Sequence, residues 1–326
     1  MRWLITGSGG QLGRSLVDAL EARDGETVAA ACDHSNCDIA APGALARLLE
    51  AGSAGDPDIV VNAAAYTAVD RCESETELAW RVNAEAPGWL AEDCRTAGLD
   101  CVHVSTDYVF SGTADEPYPE TAPVEPRTAY GRSKAEGEVR VLKTLPGALV
   151  VRTSWVFGPG KNFVGAILRQ AQRRAQGLES GPLRVVSDQQ GSPTYSADLA
   201  EAILDLAKLA FGSASADGGG RPPASGGGPG SEETRGDMRG VFHLAGGGRT
   251  TWFEFARAIL DLSGHADLDL EPLRTQDLDL PAERPRWSVL GCERAEELGI
   301  GLRPWREALA DYLVSDAGVA LQEEAI

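Results

Sequence analysis

The sequence opens Arg2-Trp3-Leu4-Ile5-Thr6-Gly7-Ser8-Gly9-Gly10-Gln11-Leu12-Gly13, and this stretch decides the fold. Residues 2–6 form an apolar run that predicts a strand, and the amphipathic pattern after the glycines predicts a helix over 11–22. Gly7, Gly10 and Gly13 have a G-x-x-G-x-x-G spacing. Such a turn brings backbone N–H groups and a positive helix end to one place, where a dinucleotide pyrophosphate binds. A tight turn without a ligand is the alternative.

Apolar runs and amphipathic stretches alternate beyond this turn. Strands are predicted at 27–32, 59–61, 101–105, 148–152, 183–186 and 240–244, and helices at 43–50, 73–97, 129–142, 163–176 and 197–210. Alternation of this kind predicts an α/β fold, a Rossmann-type doubly wound parallel sheet with helices on both faces. Residues 1–154 are assigned to this domain, with later segments returning to it, and residues 155–314 mainly to a smaller C-terminal substrate-binding lobe.

Two segments are predicted to lack a packed structure. Residues 212–239 contain many glycines and almost no apolar side chain, which predicts a disordered surface loop. A domain linker is the alternative, although the helix before the loop and the strand after it are expected to lie in one lobe. Residues 315–326 are predicted to be a frayed tail.

The overall composition excludes several classes of protein. The 326 residues are 43% hydrophobic and 24% charged, as in a globular enzyme, and carry a net charge of −19. This charge repels nucleic acid and anionic membranes, although it can also serve solubility alone. Six cysteines show no disulfide framework and are expected to be reduced. With no signal segment and no apolar run of ~18 residues, we expect a cytoplasmic protein.

Further cofactor-binding residues are expected after the second and third strands. Asp33 ends the second strand, 20 residues after Gly13, where a carboxylate can bind an adenosine ribose and favour NADH. A surface acid without a ligand is the alternative. Asp38 and Ile39 could flank the adenine. The run Asn62-Ala63-Ala64-Ala65-Tyr66 is small enough for close approach of a dinucleotide, although dense helix packing would also use small residues.

The candidate catalytic site combines Thr106, at the end of the fourth strand, with Tyr130 and Lys134 on a predicted helix. A Y-x-x-x-K spacing places both side chains on one helical face. Reduction of a ketone needs a proton donor, and a tyrosine is suitable where a cation such as Lys134 lowers its pKa from about 10. Thr106 can donate a hydrogen bond to the developing oxyanion. An ordinary surface pair is the alternative for Tyr130 and Lys134.

At these motifs the chain resembles the extended short-chain dehydrogenase/reductase family, and within it the dTDP-4-dehydrorhamnose reductases. The resemblance runs nearly end to end. It is carried by Thr-Gly-Ser-Gly-Gly-Gln-Leu-Gly (6–13), Val-Asn-Ala-Ala-Ala-Tyr-Thr-Ala-Val-Asp (61–70), Val-Ser-Thr-Asp-Tyr-Val-Phe (104–110), Tyr-Gly-Arg-Ser-Lys (130–134), Arg-Thr-Ser-Trp-Val-Phe (152–157), Asp-Gln-Gln-Gly-Ser-Pro-Thr (188–194) and Arg-Pro-Arg-Trp-Ser-Val-Leu (284–290).

The resemblance implies reduction of a nucleotide-linked 4-keto-6-deoxysugar at C4 by NADPH or NADH, the last step of dTDP-L-rhamnose synthesis. It implies a catalytic set of Thr106, Tyr130 and Lys134. It places Asp107 and Trp155 near the sugar. The cofactor contacts it implies are Gly10, Gln11, Leu12, Asp33, Asp38, Ile39, Ala64, Ala65 and Tyr66, with Tyr130 and Lys134 also facing the nicotinamide end.

Three further residues have two interpretations each. Trp155 either contacts the substrate or fills the core between lobes. Arg284 is a candidate ligand of the substrate pyrophosphate because its guanidinium fork matches phosphate oxygens, and a surface arginine is the alternative. His103 lies within a predicted strand, where a satisfied core histidine is favoured over a base.

The resemblance also leaves rival functions and assemblies open. Relatives make other deoxysugars such as dihydrostreptose, and one branch is a regulatory subunit. Epimerases and dehydratases of the same superfamily retain their cofactor, and an acid such as Asp107 beside the catalytic threonine fits a dehydratase. Some relatives form homodimers through magnesium held by glutamates. A homodimer is therefore one expected assembly, whereas no metal ligands are assigned here.

Overall fold

The computed structural model describes residues 1–212 and 238–324. Most of the predicted disordered loop, 212–239, therefore lies outside the described residues. The strands, β1 to β12, are Arg2–Thr6, Thr27–Cys32, Ile59–Asn62, Asp100–Thr106, Leu149–Thr153, Val156–Phe157, Leu183–Val186, Gln190–Gly191, Thr194–Tyr195, Gly240–His243, Thr250–Thr251 and Leu270–Leu273. The helices, α1 to α12, are Gln11–Glu21, Ala44–Glu50, Val69–Ser74, Thr76–Trp80, Ala86–Ala97, Ala129–Thr144, Phe163–Ala175, Ser196–Phe211, Trp252–Leu262, Glu293–Glu296, Trp305–Val314 and Asp316–Glu324.

Six strands form one parallel sheet in the order β2-β1-β3-β4-β5-β10. The predicted doubly wound α/β fold is thereby confirmed. The strand order reverses between β1 and β3, and ligands of such sheets bind beyond the carboxyl ends of the strands at this switch point. Gly7, which follows β1, and Ala63, which follows β3, meet there. β4, which carries Thr106, is a central strand, whereas β2 is an edge strand.

Both faces of the sheet are covered by apolar packing, which explains why its strands are continuous apolar runs. In β1 the side chains alternate: Trp3 and Ile5 pack with residues of α1 and α8, and Leu4 packs with residues of α2, α5 and α6 on the opposite face. Residues after 154 return to this domain in α8, β10 and α10. The remaining C-terminal elements enclose a separate core around Phe157, Phe255 and Tyr312.

Two sequence predictions differ from the structure. The single helix predicted over 73–97 is divided into α3, α4, a π-helical turn at Arg81–Glu85, and α5. The tail predicted to fray from 315 instead forms α12, because Leu321 finds an apolar site against α7 and is 7% exposed. None of the described helices combines the length and the apolar character that a membrane span requires.

Candidate functional site

The glycine-rich turn after β1 is packed too closely to accept larger residues. Gly7 has a φ of +72°, and a Cβ there would lie 2.6 Å from the Ala64 backbone nitrogen. A Cβ at Gly13 would lie 2.1 Å from the Gly7 carbonyl oxygen. The turn is thus pressed against the loop after β3 on one side and against α1 on the other. Both glycines are required by close backbone approach.

The N-terminus of α1 has the features of an anion site. Gly10 precedes the helix without a side-chain capping bond, and the first turn holds no acidic residue. The backbone N–H groups of this first helical turn are therefore available to a pyrophosphate at the positive end of the helix. Gln11 donates a hydrogen bond to the Lys161 carbonyl at 3.2 Å, whereas Leu12 packs into the core. These residues fit the phosphates of NADPH or NADH.

The predicted adenosine end of the cleft, which contains Asp33 and Asp38, lies at the edge strand β2. Asp33 is exposed, and its Cβ lies 3.8 Å from the position that a Cβ of Gly9 would occupy. Its carboxylate accepts hydrogen bonds from the Ser35 backbone at 2.7 Å and the Ser35 hydroxyl at 2.6 Å, which lower its pKa. Asp38 is also exposed, whereas Ile39 is buried in the core. A negative charge therefore lies beside the turn.

Asn83 holds the loop of Ala64, Ala65 and Tyr66 in place. Its amide oxygen accepts from the Tyr66 backbone N–H at 2.8 Å, and its amide nitrogen donates to the Tyr66 carbonyl at 3.0 Å and to Ser133 on α6 at 3.1 Å. Asn83 lies in the π-helical turn, a local irregularity that is common at functional sites. Asn83 was not predicted from the sequence. The available signal was an asparagine among the apolar residues of one face of a predicted helix.

The three predicted catalytic residues are brought together at the carboxyl end of β4. Thr106 ends β4, and a 3₁₀ turn at Asp107–Val109 follows it. The α6 helix begins after Thr128, whose hydroxyl accepts from the Gly131 backbone at 2.9 Å. A Cβ at Gly131 would lie 2.1 Å from the Tyr108 carbonyl oxygen, so glycine allows α6 to approach the turn. This contact sets Tyr130 beside Thr106, and Lys134 reaches the Val104 carbonyl of the same strand.

All three side chains are buried: Thr106 is 7% exposed, Tyr130 8% and Lys134 1%. Burial raises the pKa of Tyr130, and the Thr106 hydroxyl opposes that rise. The lowered tyrosine pKa expected from the sequence is therefore wrong for this structure, because desolvation dominates. Lys134 Nζ donates to the Val104 carbonyl at 2.6 Å, and burial lowers its pKa to about 8 against the opposing effect of Glu138.

Asp107, predicted to lie near the sugar, accepts a hydrogen bond from Thr106, the predicted catalytic threonine. The Thr106 hydroxyl donates to Asp107 Oδ1 at 2.8 Å. The carboxyl is buried, and burial raises its pKa to about 6, although hydrogen bonds from Ser288 and Thr106 act in the opposite direction. A carboxyl group with this environment can change its protonation near neutral pH.

Trp155 is held in an unusual backbone conformation. Its φ is +47°, in the left-handed region that a bulky residue rarely adopts. The ring stacks on Trp252 with centroids 3.6 Å apart, and a Cβ at Gly191 would lie 2.3 Å from it. Its carbonyl accepts from the Thr194 backbone at 3.1 Å. Strain of this kind persists where neighbours fix the residue, and it concentrates at ligand sites.

Arg284 lies in an ion pair with Asp70 of α3, at 2.6 Å. Asp70 also accepts from the Ala282 backbone at 3.2 Å, and the guanidinium lowers the pKa of its carboxyl. The Arg284 side chain is 17% exposed. The positive charge of Arg284 is therefore already paired with Asp70. A substrate phosphate would have to share the guanidinium with that carboxylate.

A buried ionic network lies beneath the site and was not predicted from the sequence. Arg152 of β5 forms an ion pair with Glu138 of α6 at 2.6 Å, and Ser105 donates to the same carboxylate at 2.5 Å. Both charged side chains are about 5% exposed or less. Glu138 follows Lys134 by one helical turn, so the network links β4 and β5 to α6. A glutamate on an inward-facing helical position was the available signal.

Comparison with known proteins identifies the family of the chain. The family described as RmlD substrate binding domain matches residues 1–219 and 230–317. The chain belongs to this family. It is 40% identical to a probable dTDP-4,6-dihydroxy-2-methyloxan-3-one 4-ketoreductase of Streptomyces antibioticus, over 95% of this chain and 94% of that protein. It is 38% identical to a dTDP-4-dehydrorhamnose reductase of Streptomyces griseus, over 98% and 95% of the two chains.

Solved structures of dTDP-4-dehydrorhamnose reductases share the fold over nearly the whole chain. The enzyme from Clostridium acetobutylicum is 34% identical with a TM-score of 0.80, and covers 96% of this chain and 98% of its own. The enzyme from Bacillus anthracis, in complex with NADP, is 29% identical with a TM-score of 0.78 and the same coverage. A relative with both a reductase name and a bound nicotinamide cofactor thus shares this architecture.

Proposed function

We propose that the chain reduces the C4 keto group of dTDP-4-dehydro-L-rhamnose with NADPH or NADH, giving dTDP-L-rhamnose. The observation that carries this proposal is the placement of Thr106, Tyr130 and Lys134 at the carboxyl edge of the sheet, beside a glycine turn that fits a dinucleotide. A non-catalytic regulatory protein of the same fold has no need for a buried proton donor beside that turn. The intact trio therefore favours an enzyme.

The chain's own groups account for the proton in this reaction. The bound nicotinamide supplies hydride to the carbonyl carbon. Tyr130 donates its hydroxyl proton to the keto oxygen, and its raised pKa keeps that proton in place until the oxygen becomes basic. The Thr106 hydroxyl, which donates to Asp107 in the structure, would turn its one proton from that carboxylate to the developing oxyanion. Burial of Tyr130 and Lys134 excludes water from this end of the cleft.

The relatives support use of NADPH, whereas the residues beside the glycine turn favour NADH. The Bacillus anthracis relative binds NADP, whereas the exposed carboxylate of Asp33 would repel a 2′-phosphate and favour NADH. Among the described residues, the groups that act on the Asp33 carboxylate are Ser35, Asn36 and His34, none of which is an arginine or a lysine. We therefore propose use of both cofactors with NADH preferred.

A different keto sugar is the second candidate substrate. The Streptomyces antibioticus relative carries the name of a ketoreductase for another dTDP-linked sugar and is as similar as the rhamnose enzymes. Proton donation by Tyr130 would be the same for both sugars. Asp107 and Trp155, which we assign to the sugar, would then distinguish them through contacts with its hydroxyl groups.

The test is turnover of the purified full chain, followed by the absorbance of NADPH or NADH after addition of enzymatically generated dTDP-4-dehydro-L-rhamnose. We expect substrate-dependent oxidation, and a loss of about 10²- to 10⁴-fold in kcat for Tyr130→Phe. Tyr195→Phe removes a hydroxyl in the C-terminal lobe and serves as the matched control. A turnover of Tyr130→Phe equal to that of the wild type would exclude Tyr130 as the acid. Turnover only with the other dTDP-linked ketone would favour the second substrate.

A further inference from the structure

A chain of buried polar side chains runs from the cofactor turn to Lys134. Thr6, which precedes Gly7, donates to Asn62 Oδ1 at 2.7 Å. Asn62 Nδ2 lies 3.0 Å from His103 Nδ1, and His103 Nε2 lies 3.4 Å from Lys134 Nζ. Thr6, Asn62, His103 and Lys134 are each 1% exposed or less. The mechanism described above uses only the last of these residues.

The position of the His103 proton is fixed by its neighbours. The Ala64 backbone N–H can only donate, and it donates to Asn62 Oδ1 at 3.2 Å. The amide oxygen of Asn62 is therefore on that side, and its NH₂ group faces His103. Because an NH₂ group can only donate, His103 Nδ1 must accept. Burial and the nearby lysine hold the pKa of His103 well below its usual range, so the ring is neutral and its single proton lies on Nε2.

This tautomer directs an N–H group at the amine of Lys134. An N–H donor faces an ammonium group unfavourably, and 3.4 Å is longer than an ordinary hydrogen bond. A neutral amine, in contrast, can accept that proton with its lone pair. We propose that His103 is a positioning residue that holds its proton on Nε2, directed at Lys134, and so favours release of a proton from the catalytic lysine. The proposal rests on the proposed function, in which Lys134 belongs to the catalytic trio with Thr106 and Tyr130.

The other groups around Lys134 act in different directions. Glu138, on the same helix, favours the ammonium form, and is itself paired with Arg152. Tyr130, on the same face of α6, packs with Cys72 of α3 and with Tyr108 after β4, and Asp107 also acts on it. Nζ donates to the Val104 carbonyl. Of these groups, His103 is the one whose tautomer decides whether an acceptor or a donor faces the amine.

The direct test is two-bond ¹⁵N–¹H correlation NMR of the full chain with ¹⁵N-labelled histidine. The chain has four histidines, and His243 is an internal reference because its Nδ1 lies 3.0 Å from the Gly291 carbonyl, which can only accept. We expect a neutral Nε2–H ring for His103 and a neutral Nδ1–H ring for His243 from about pH 5.5 to about pH 9. An Nδ1–H ring at His103, or its titration near its ordinary pKa, overturns the proposal.

The functional test is the pH profile of kcat/KM for His103→Gln. Glutamine can turn its amide oxygen toward Lys134, which should raise the pKa of the lysine and move the alkaline limb upward by about one pH unit. His243→Gln, the same change at a buried histidine on β10, should leave that limb in place. A limb that does not move in His103→Gln, or that moves equally in both variants, overturns the proposal. The NMR measurement needs no turnover, so it still decides the tautomer if the proposed substrate fails.

Discussion

The two ends of the cleft differ in how the fold presents their charged groups. At the catalytic end, Lys134 and Asp107 are buried and their pKa values lie near 8 and 6. At the adenosine end, Asp33 and Asp38 are exposed. The cause is the position of the strands: β4 is central and covered by α6, whereas β2 is an edge strand. One fold thus buries ionisable groups at its centre, where desolvation shifts their pKa values, and leaves carboxylates exposed at its edge.

Removing the buried charge at the catalytic end should have the largest effect. Burial raises the pKa of Asp107 from 3.8 to about 6, so the folded protein disfavours its ionised form. The ionised Asp107 therefore destabilises the folded protein. This destabilisation is absent below about pH 4 and complete above about pH 6, where it lowers the free energy of unfolding by about 3 kcal/mol. Asp107→Asn should therefore stabilise the protein at pH 8 and not at pH 4. Denaturant unfolding at both values measures this.

The exposed Asp115 provides the control for that measurement. Asp115→Asn removes one negative charge outside the buried site, and its effect on unfolding should be small at either pH. If Asp107→Asn gives the same change at pH 4 and pH 8, the buried carboxyl is not the titrating group. The contrast between the two ends of the cleft would then lose its electrostatic basis.

The sequence correctly predicted the first strands and the first helix of the sheet domain. The bounds predicted for β1, β2 and α1 agree with the structure within one residue, because long apolar runs and glycine spacing are local signals. Thr106, Tyr130 and Lys134 could be placed together because they follow a strand and open a helix. Local signals also sufficed for Asp33 at the end of β2.

The remaining features depend on contacts between distant segments. β6, β8, β9 and β11 have two residues each and pair with partners far along the chain, so no periodicity reveals them. His103 was predicted to be a satisfied core histidine, and it is buried and bonded. Its contact with Lys134 depends on α6 crossing β4, which spacing does not show. The strained φ of Trp155 likewise reflects Trp252, nearly 100 residues later.

A charge change at the adenosine end should alter cofactor choice and leave the chemistry intact. Asp33→Ser removes the carboxylate that disfavours a 2′-phosphate, so the ratio of kcat/KM for NADPH to that for NADH should rise about five- to tenfold. Parallel initial-rate measurements with the two cofactors determine this ratio. Asp24→Ser, an exposed acid before the opposite end of β2, should leave it unchanged. An unchanged ratio in Asp33→Ser would remove Asp33 from the ribose site.

The smallest effect is expected at the partly buried pair of Arg284 and Asp70. If Arg284 binds the substrate pyrophosphate, Asp70 competes with the substrate for the guanidinium. Arg284→Ala should then raise KM, whereas Asp70→Asn, which keeps an oxygen for the Ala282 N–H, should lower it, each by about two- to fivefold. If the pair only holds the 282–284 segment against α3, both variants should raise KM and lower the melting temperature. Opposite signs in KM would thus assign the arginine to the substrate, and equal signs would assign it to the fold.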